Sequence, residues 1–290
     1  MRARFTLPAR RQRAPLEHLV RDSYRWIYSR DGSGPPLLLI HGLSGSVRWW
    51  QRNIPVLSRS FTVYAVELQG FGGNRNGRPL PFRESADSLA AFMGALGIER
   101  AHIAGHSMGG HIAIYLAAYH PERVNRLVLA APSGMLRRGL PHMVLRLATH
   151  GRYEAPSFVP TVVMDALRAG PVNLLLAARA ILRDDVETLL QSISAPTLVI
   201  AGERDALVPP GVSASLAAAI KAARFVVLKG AAHNLMWDRH TAFNQAVLEF
   251  LQEGSAAYPA GGPGAESAAR ATSAYVEDRD GSPAPEEASG

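Results

Sequence analysis

Short apolar runs alternate with helix-like patterns along most of the chain, and this alternation restricts the possible folds more than any other feature. Continuous apolar runs bounded by Pro, Gly or charged residues, typical of buried strands, lie at 35–42, 61–70, 100–107, 126–132, 196–205 and 223–233. Helical patterns lie between them, at about 47–58, 84–97, 108–119, 211–222 and 238–252. The alternation predicts a mostly parallel sheet covered by helices on both faces. We expect an earlier run, 24–32, to form an edge strand.

The alternation stops between residues 135 and 190, where the sequence contains no convincing strand. Prolines divide this segment into what we interpret as several short helices; they are Pro141, Pro156, Pro160 and Pro171. A helical insert between two strands of a parallel sheet predicts a cap domain, and the alternative is a longer crossover connection. We expect most of its apolar residues to hold the insert to the core and a subset to line an apolar pocket.

Two terminal segments differ in composition from the rest of the chain. Residues 1–14 form a predicted flexible basic arm with five arginines, and 254–290 form a predicted disordered Ala/Gly/Pro/Ser/Glu-rich tail with six acidic residues. The predicted core therefore spans 15–134 and 191–253, with the cap at 135–190. We interpret the formal charge of +7 as solvated surface arginines, rather than as a site for nucleic acid or an anionic surface.

Composition also excludes several kinds of chemistry. The chain has no cysteine, so it has no disulfide, thiolate nucleophile or Cys-ligated metal. No apolar run reaches the roughly 18 residues of a membrane span, and no signal-peptide pattern follows the basic N-terminus. These features favour a cytoplasmic protein with no membrane span and no nucleic-acid partner. The oligomeric state is not indicated.

The sequence Gly105-His106-Ser107-Met108-Gly109 lies between a strand-like run and a helix-like run. Gly-x-Ser-x-Gly in this context predicts a sharp strand-to-helix turn with an exposed, strained serine at its apex. The alternative is a glycine-rich helix entry with a capping serine. A serine hydroxyl needs an adjacent base to act as a nucleophile at neutral pH.

The candidate base is His233, which follows the last predicted strand of the core. The candidate acid is Asp205, directly after the preceding strand, with Glu203 as the second choice. The three candidates occur along the chain in the order Ser, Asp, His. This is the order found in hydrolases whose nucleophilic serine lies in a Gly-x-Ser-x-Gly turn between a strand and a helix.

Donors for a tetrahedral oxyanion are predicted after the first buried strand and after the nucleophile. We assign the backbone N–H groups of Leu43 and Met108 to this oxyanion hole. Ser44, Trp49 and His142 are candidate substrate-binding residues. No histidine spacing typical of a metal site is present, so we expect no metal and no cofactor.

The segments HGLSGS, ELQGFGGN, GHSMGG, GERDALVP and GAAH, in this order, resemble the α/β-hydrolase fold superfamily over about residues 24–253. The resemblance implies an eight-stranded, mostly parallel sheet with a cap over the active site. It carries the nucleophile to Ser107, the acid to Asp205 and the base to His233. One departure is Glu67, where relatives usually have Asp, and we expect this position to be structural.

The nucleophile narrows the expected reaction. Capped relatives that open epoxides or remove halides carry Asp at this position, and the first loop lacks the Gly-Pro-Gly of many carbon–carbon and proline-peptide hydrolases. We therefore expect a carboxylesterase-like serine hydrolase that cleaves small to medium apolar esters. The alternatives are hydrolysis of a thioester, lactone or carbon–carbon bond, peroxide-forming chemistry, and a non-catalytic ligand-binding protein on the same fold.

Overall fold

A single mixed sheet organises the chain in a computed structural model, which describes residues 15–21, 24–135 and 155–253 and the backbone of 274–276. Its strands are β1 (Leu16–Arg21), β2 (Tyr24–Asp31), β3 (Pro36–Ile40), β4 (Thr62–Glu67), β5 (Ala101–His106), β6 (Val124–Ala130), β7 (Thr197–Gly202), β8 (Ala223–Leu228) and β9 (Ala274–Val276). Their spatial order is β1-β2-β4-β3-β5-β6-β7-β8-β9. Every neighbouring pair from β4 to β9 is parallel, and β2 pairs antiparallel with both β1 and β4. The predicted eight-stranded, mostly parallel sheet is confirmed, and β9 adds a short ninth strand.

The two edges of the sheet differ from the expectation. The segment 24–32 is not an edge strand, because β1 pairs along its outer side over six residues. The sequence does not indicate β1, because its apolar residues Leu16 and Val20 are 47% and 70% exposed and form no buried-strand pattern. At the other edge, β9 lies within the segment 254–290 that we predict to be disordered. The other residues of that segment, and the basic arm 1–14, lie outside the described residues.

The central strands are largely apolar because both of their faces are buried. In β3, Leu38 and Ile40 contribute to one core cluster, while Leu37 and Leu39 contribute to the cluster on the opposite face. Side chains alternate between the faces of a strand, so helices on both sides of the sheet require a continuous apolar run.

The helices divide between the two faces. In chain order they are α1 (Ile54–Leu57), α2 (Phe82–Ala95), α3 (Met108–Tyr119), α4 (Val159–Arg183), α5 (Glu187–Leu190), α6 (Pro210–Ala219), α7 (Leu235–Asp238) and α8 (His240–Gln252). Buried residues of α1, α7 and α8 belong to one core cluster, and those of α2, α3, α5 and α6 belong to the other. Short 3-10 turns at Val47–Trp50, Gly72–Asn74 and Pro121–Arg123 complete the connections.

Most of the described part of the predicted cap is one long helix with a kink. In α4, Gly170 has φ 75° and ψ 160°, outside the helical region, and Pro171 follows it. Proline cannot continue the hydrogen-bond ladder, so the helix divides here into two segments. The expected break at Pro171 is therefore present, whereas Pro160 lies in the first turn of α4, where proline is tolerated. Residues 136–154 of the predicted cap, which include Pro141 and His142, lie outside the described residues.

The apolar side chains of α4 do not lie where we expected. Phe158 is buried just before the helix, but Val163, Met164, Leu175 and Leu176 are each 45–51% exposed, so they do not hold the insert to the core. By length and composition, α4 is the one helix among the described residues that could cross a membrane; 28% of its most apolar window is buried.

Candidate active site

The nucleophile candidate Ser107 lies between β5 and α3 with the backbone of a strained turn. Its φ of 52° and ψ of −114° are rarely adopted by a residue with a side chain. Glycine is required beside it, because a Cβ on Gly105 would collide with the backbone carbonyl of Gly109, and a Cβ on Gly109 would collide with the carbonyl oxygen of Ile40. The predicted strand-to-helix turn is thus built by close backbone approaches that only glycine permits.

The structure brings Ser107, His233 and Asp205 into one hydrogen-bonded chain. Nε2 of His233 lies 2.9 Å from Oγ of Ser107, and Nδ1 lies 2.8 Å from Oδ2 of Asp205. All three residues are buried, at 8%, 7% and 4% exposure respectively. Each follows the carboxyl end of a parallel strand, which is where open α/β sheets place ligands.

The surroundings of Asp205 determine the orientation of its carboxylate. Oδ1 accepts the backbone N–H groups of Leu207 and Val208, both at 2.8 Å, which leaves Oδ2 for His233. An ionised carboxylate accepts hydrogen bonds and donates none, so Nδ1 of His233 carries the proton and Nε2 is free to accept one from Ser107. Glu203, the second choice for the acid, is exposed and accepts the N–H of Gly230 instead.

A second histidine, His106, holds the backbone of His233. Nε2 of His106 lies 3.0 Å from the carbonyl oxygen of His233, so it must donate the proton. Complete burial and the neighbouring His233 keep the pKa of His106 well below its usual range, so its ring is neutral. Sequence reasoning did not anticipate this supporting contact.

The predicted oxyanion loop passes directly beside the nucleophile. A Cβ placed on Gly42 would lie 3.2 Å from Cβ of Ser107, so the backbone of Gly42 lies beside the nucleophile. Leu43 is the next residue of this loop. Ser44 is buried and has φ 65°, a left-handed conformation that turns the loop sharply. Met108 begins α3, and the first N–H groups of a helix have no partner within it. Both predicted donors therefore border Ser107, and their catalytic role remains a prediction.

His41 braces the start of this loop. Nδ1 donates to the carbonyl of Gly42 at 2.8 Å, and Nε2 accepts the N–H of Leu68 at 3.1 Å. Burial lowers the pKa of His41 to about 4, so the neutral tautomer that these two bonds require is the form present at neutral pH. His41 thus serves the loop and not proton transfer.

Glu67 braces the far end of the loop. Its carboxylate accepts the N–H of Val47 at 3.3 Å and also that of Gly73. Burial raises the pKa of Glu67, although these two N–H donors act in the opposite direction. The contacts explain why an acid stands at this position and agree with the structural role that we expect for it.

The helix α4 joins the same loop through Asp165, a residue that sequence reasoning missed. The buried Asp165 carboxylate accepts Ser46 Oγ at 2.8 Å and Trp49 Nε1 at 3.1 Å, and it forms an ion pair with Arg48. All three partners lie more than 110 positions away in sequence, so no local pattern could reveal the contact. Trp49 also packs its ring against Phe158 and His106, which places it at the joint between α4 and the core. Its assignment to substrate contact stays a prediction.

We expect Asp165→Asn to lower kcat/KM for an ester by about tenfold or more, because an amide cannot neutralise Arg48 and the oxyanion loop loses its anchor. The free energy of unfolding should fall by about 2–4 kcal/mol, since one partner of a largely buried ion pair is removed. Steady-state kinetics and urea unfolding measure the two effects.

A matched control is Asp87→Asn, because Asp87 is 38% exposed and pairs with Arg83 and His120 away from the loop. This change should cost less than about 1 kcal/mol and leave kcat/KM unaltered. Equal kinetics for the two variants would show that Asp165 does not position the loop.

A second Ser-His-Asp cluster joins α3 to the end of α4. Nε2 of His111 lies 2.6 Å from Oδ2 of Asp184, and its Nδ1 lies 3.4 Å from Oγ of Ser133. The His111 side chain is fully buried and stacks on Phe82 at 3.9 Å. Burial lowers the pKa of His111, and the Asp184 carboxylate opposes that shift. The cluster fastens the helices together but leaves no space for a reactant at His111.

Comparisons with known proteins identify the family of the chain. A family profile described as alpha/beta hydrolase fold matches residues 35–169, and one described as TAP-like protein matches residues 182–261. A pimeloyl-[acyl-carrier protein] methyl ester esterase of Neisseria meningitidis serogroup B is 31% identical over 242 residues, which cover 74% of this chain and 92% of that protein. The chain belongs to the α/β-hydrolase superfamily.

This α/β hydrolase has relatives with more than one substrate class. A 2-hydroxy-6-oxononadienedioate/2-hydroxy-6-oxononatrienedioate hydrolase of Cupriavidus pinatubonensis is 30% identical over 260 residues and covers 74% of this chain and 86% of its own. A crystal structure of a hydrolase from Pseudomonas aeruginosa superposes with a TM-score of 0.70 at 29% identity, covering 81% and 98% of the two chains. The protein is therefore a hydrolase with ester or related activity.

Proposed function

We propose that this α/β hydrolase cleaves carboxylic esters of small to medium apolar substrates through an acyl-enzyme on Ser107. The observation that carries the proposal is the continuous hydrogen-bonded chain from Ser107 through His233 to Asp205, with distances of 2.9 and 2.8 Å. These are hydrogen-bond distances for proton transfer from the nucleophile to its base.

In the first half-reaction, Oγ of Ser107 attacks the ester carbonyl carbon while Nε2 of His233 takes the hydroxyl proton. The carbonyl oxygen becomes an oxyanion, which the N–H groups of Leu43 and Met108 stabilise; one such donor is typically worth about 3 kcal/mol. The carbon–oxygen bond to the alcohol then breaks, and His233 returns the proton to the leaving oxygen. Asp205 stabilises the imidazolium during both transfers.

In the second half-reaction, water attacks the acyl group on Ser107 with His233 again acting as base. The acid is released, and the serine recovers its proton. The balance of the whole reaction is ester plus water to acid plus alcohol, and it requires no group beyond these residues.

The substrate class rests on the relatives and on the sequence. The Neisseria relative is named for a methyl ester, which supports an ester as the substrate. A carbon–carbon bond is the second candidate, because the Cupriavidus relative is named as a hydrolase of 2-hydroxy-6-oxononadienedioate and 2-hydroxy-6-oxononatrienedioate. The first loop reads His41-Gly42-Leu43-Ser44-Gly45 and lacks the Gly-Pro-Gly typical of many such enzymes, which favours the ester. The pocket role of His142 and the cytoplasmic location stay predictions from the sequence.

Two assays test the proposal against the second candidate. We expect hydrolysis of p-nitrophenyl acetate, butyrate and octanoate. The kcat/KM for these esters should exceed the kcat/KM for 2-hydroxy-6-oxononadienedioate. A rapid burst of p-nitrophenol and an acyl adduct on intact protein by mass spectrometry should accompany it. Preferred cleavage of the dienoate, or ester turnover without an adduct that maps to Ser107, would contradict the proposal.

A further inference from the structure

The polarity of α4 is inverted relative to an ordinary surface helix. Its buried positions are the polar Asp165 and Asn173, the small residues Ala169, Ala177 and Ala178, and one large apolar residue, Ile181. Its exposed positions include large apolar side chains, each 45–72% exposed: Val163, Met164, Leu167, Val172, Leu175 and Leu176. A helix that faces water normally presents the opposite pattern.

Polar contacts with the core determine which side of each α4 segment faces outward. In the first segment, Asp165 binds the loop that carries Ser46 and Trp49. In the second, the side-chain amide of Asn173 donates to the carbonyl of Gly70 at 3.0 Å and also lies within hydrogen-bond distance of the carbonyls of Arg75 and Gly77. A rotation of the helix that buried its apolar side chains would break these buried hydrogen bonds. The hydrogen bonds of Asp165 and Asn173 therefore keep the apolar side chains exposed.

Among the described residues, every exposed charged side chain on α4 itself is an arginine. Arg168, Arg179 and Arg183 are exposed on α4, and Arg75 and Arg78 are exposed on the neighbouring loop. The single acidic residue of α4 is Asp165, which is buried and paired. The carboxylates of Asp184 and Asp185 follow the end of the helix.

We propose that the outer surface of α4, defined by Val163, Met164, Leu167, Val172, Leu175, Leu176 and the three arginines, binds an anionic lipid surface. Amphipathic helices that lie in the plane of a membrane combine an apolar face with flanking basic residues. Each arginine near an anionic leaflet raises the binding constant by about fivefold, and the aliphatic side chains enter the region between head groups and acyl chains.

Other occupants fit this surface less well. A second copy of the chain would bring two patches of the same positive charge together across a two-fold interface, and like charges repel. A protein partner would need about one hydrogen bond per 100–200 Å², yet the exposed positions of α4 offer only arginine as a polar side chain. Phosphate head groups accept hydrogen bonds from arginine, and acyl chains accommodate apolar side chains. An anionic lipid surface therefore matches both the arginines and the apolar residues of α4.

The inner side of α4 anchors the oxyanion loop through Asp165, so lipid bound to the outer side would bring the active site to the membrane surface. Lipid binding stands independently of the reaction. Its consequence, hydrolysis of esters taken from the lipid phase, rests on the proposed function.

Vesicle co-sedimentation of the full chain tests the proposal, with Ser107→Ala protein used so that the lipid is not altered. We expect binding to vesicles of phosphatidylcholine with phosphatidylglycerol, weak binding to phosphatidylcholine alone, and a decrease in binding at high salt. The double variant Leu167→Ser/Leu175→Ser should lower the partition coefficient by about tenfold or more. Arg179→Gln/Arg183→Gln should lower it by about 30-fold on the anionic vesicles.

Matched controls are Val20→Ser, a 70% exposed apolar residue on β1, and Arg59→Gln, an exposed arginine after α1. Both should bind like the parent protein. Hydrolysis of soluble p-nitrophenyl butyrate by Leu167→Ser/Leu175→Ser should stay within about twofold of wild type, which separates a lipid-binding defect from a failure of catalysis.

Three results would overturn the proposal. The first is no sedimentation with anionic vesicles, and the second is equal sedimentation with and without phosphatidylglycerol. The third is a protein that dimerises by light scattering, does not bind vesicles and becomes monomeric on Leu167→Ser/Leu175→Ser, because the surface would then contact a second copy.

Discussion

Ser107→Ala should reduce kcat for p-nitrophenyl butyrate by about 10⁵–10⁶-fold while the protein remains folded. Alanine also carries a Cβ, so the left-handed backbone of residue 107, with φ 52°, is no more strained than with serine. The variant loses the 2.9 Å hydrogen bond to His233, which should cost about 1 kcal/mol of unfolding free energy. Kinetics and thermal unfolding of the same preparation separate the two effects.

The matched control for this prediction is Ser133→Ala. Ser133 is a buried serine whose N–H lies 3.3 Å from the carbonyl oxygen of Ser107, and its hydroxyl lies against His111. Its removal should change kcat by less than about tenfold, because the His111 cluster holds helices together. If both variants lost activity to the same extent, or if Ser107→Ala still formed an acyl adduct, the nucleophile would have to be assigned elsewhere.

The fold could be predicted from sequence because its central strands leave a clear pattern. Strands β3 to β7 are buried on both faces over most of their length, so each contains a largely apolar run between helix-like segments. The outermost strands leave no such pattern: four of the six residues of β1 are exposed, and β9 contains three residues. Pairing with a strand that already exists supplies their stability, and that contribution is not visible in the local sequence.

The candidate triad was predictable for a related reason. Parallel strands all end at one edge of the sheet, so Ser107, Asp205 and His233, each placed just after a strand, had to converge there. Contacts made by the insert were not predictable, because Asp165 meets Ser46 from a helix 119 positions away.

The orientation of α4 was misjudged because periodicity alone does not say which face of a helix points inward. An apolar stripe normally packs on the core, and we expected most apolar residues of the insert to do so, whereas Val163, Met164, Leu175 and Leu176 are exposed. In α4 the two buried polar residues, Asp165 and Asn173, determine the orientation instead.

Asp205→Asn should lower kcat by about 10⁴-fold with little effect on the fold. The backbone N–H groups of Leu207 and Val208 require an acceptor, so the amide oxygen of the asparagine would occupy the place of Oδ1. Its NH₂ group would then face Nδ1 of His233 as a donor. The imidazole would have to carry its proton on Nε2, and it could no longer accept the proton of Ser107.

The comparison variant is Glu203→Gln, two positions away. Glu203 is exposed and accepts the N–H of Gly230 at 2.8 Å, and the glutamine oxygen can still accept this bond. We therefore expect kcat within about twofold of wild type and an unchanged melting temperature. A large loss of activity in Glu203→Gln together with an active Asp205→Asn would mean that the acid of the triad had been misassigned. A small loss in both would mean that His233 does not depend on a carboxylate for its tautomer, and the mechanism would then rest on Ser107 and His233 alone.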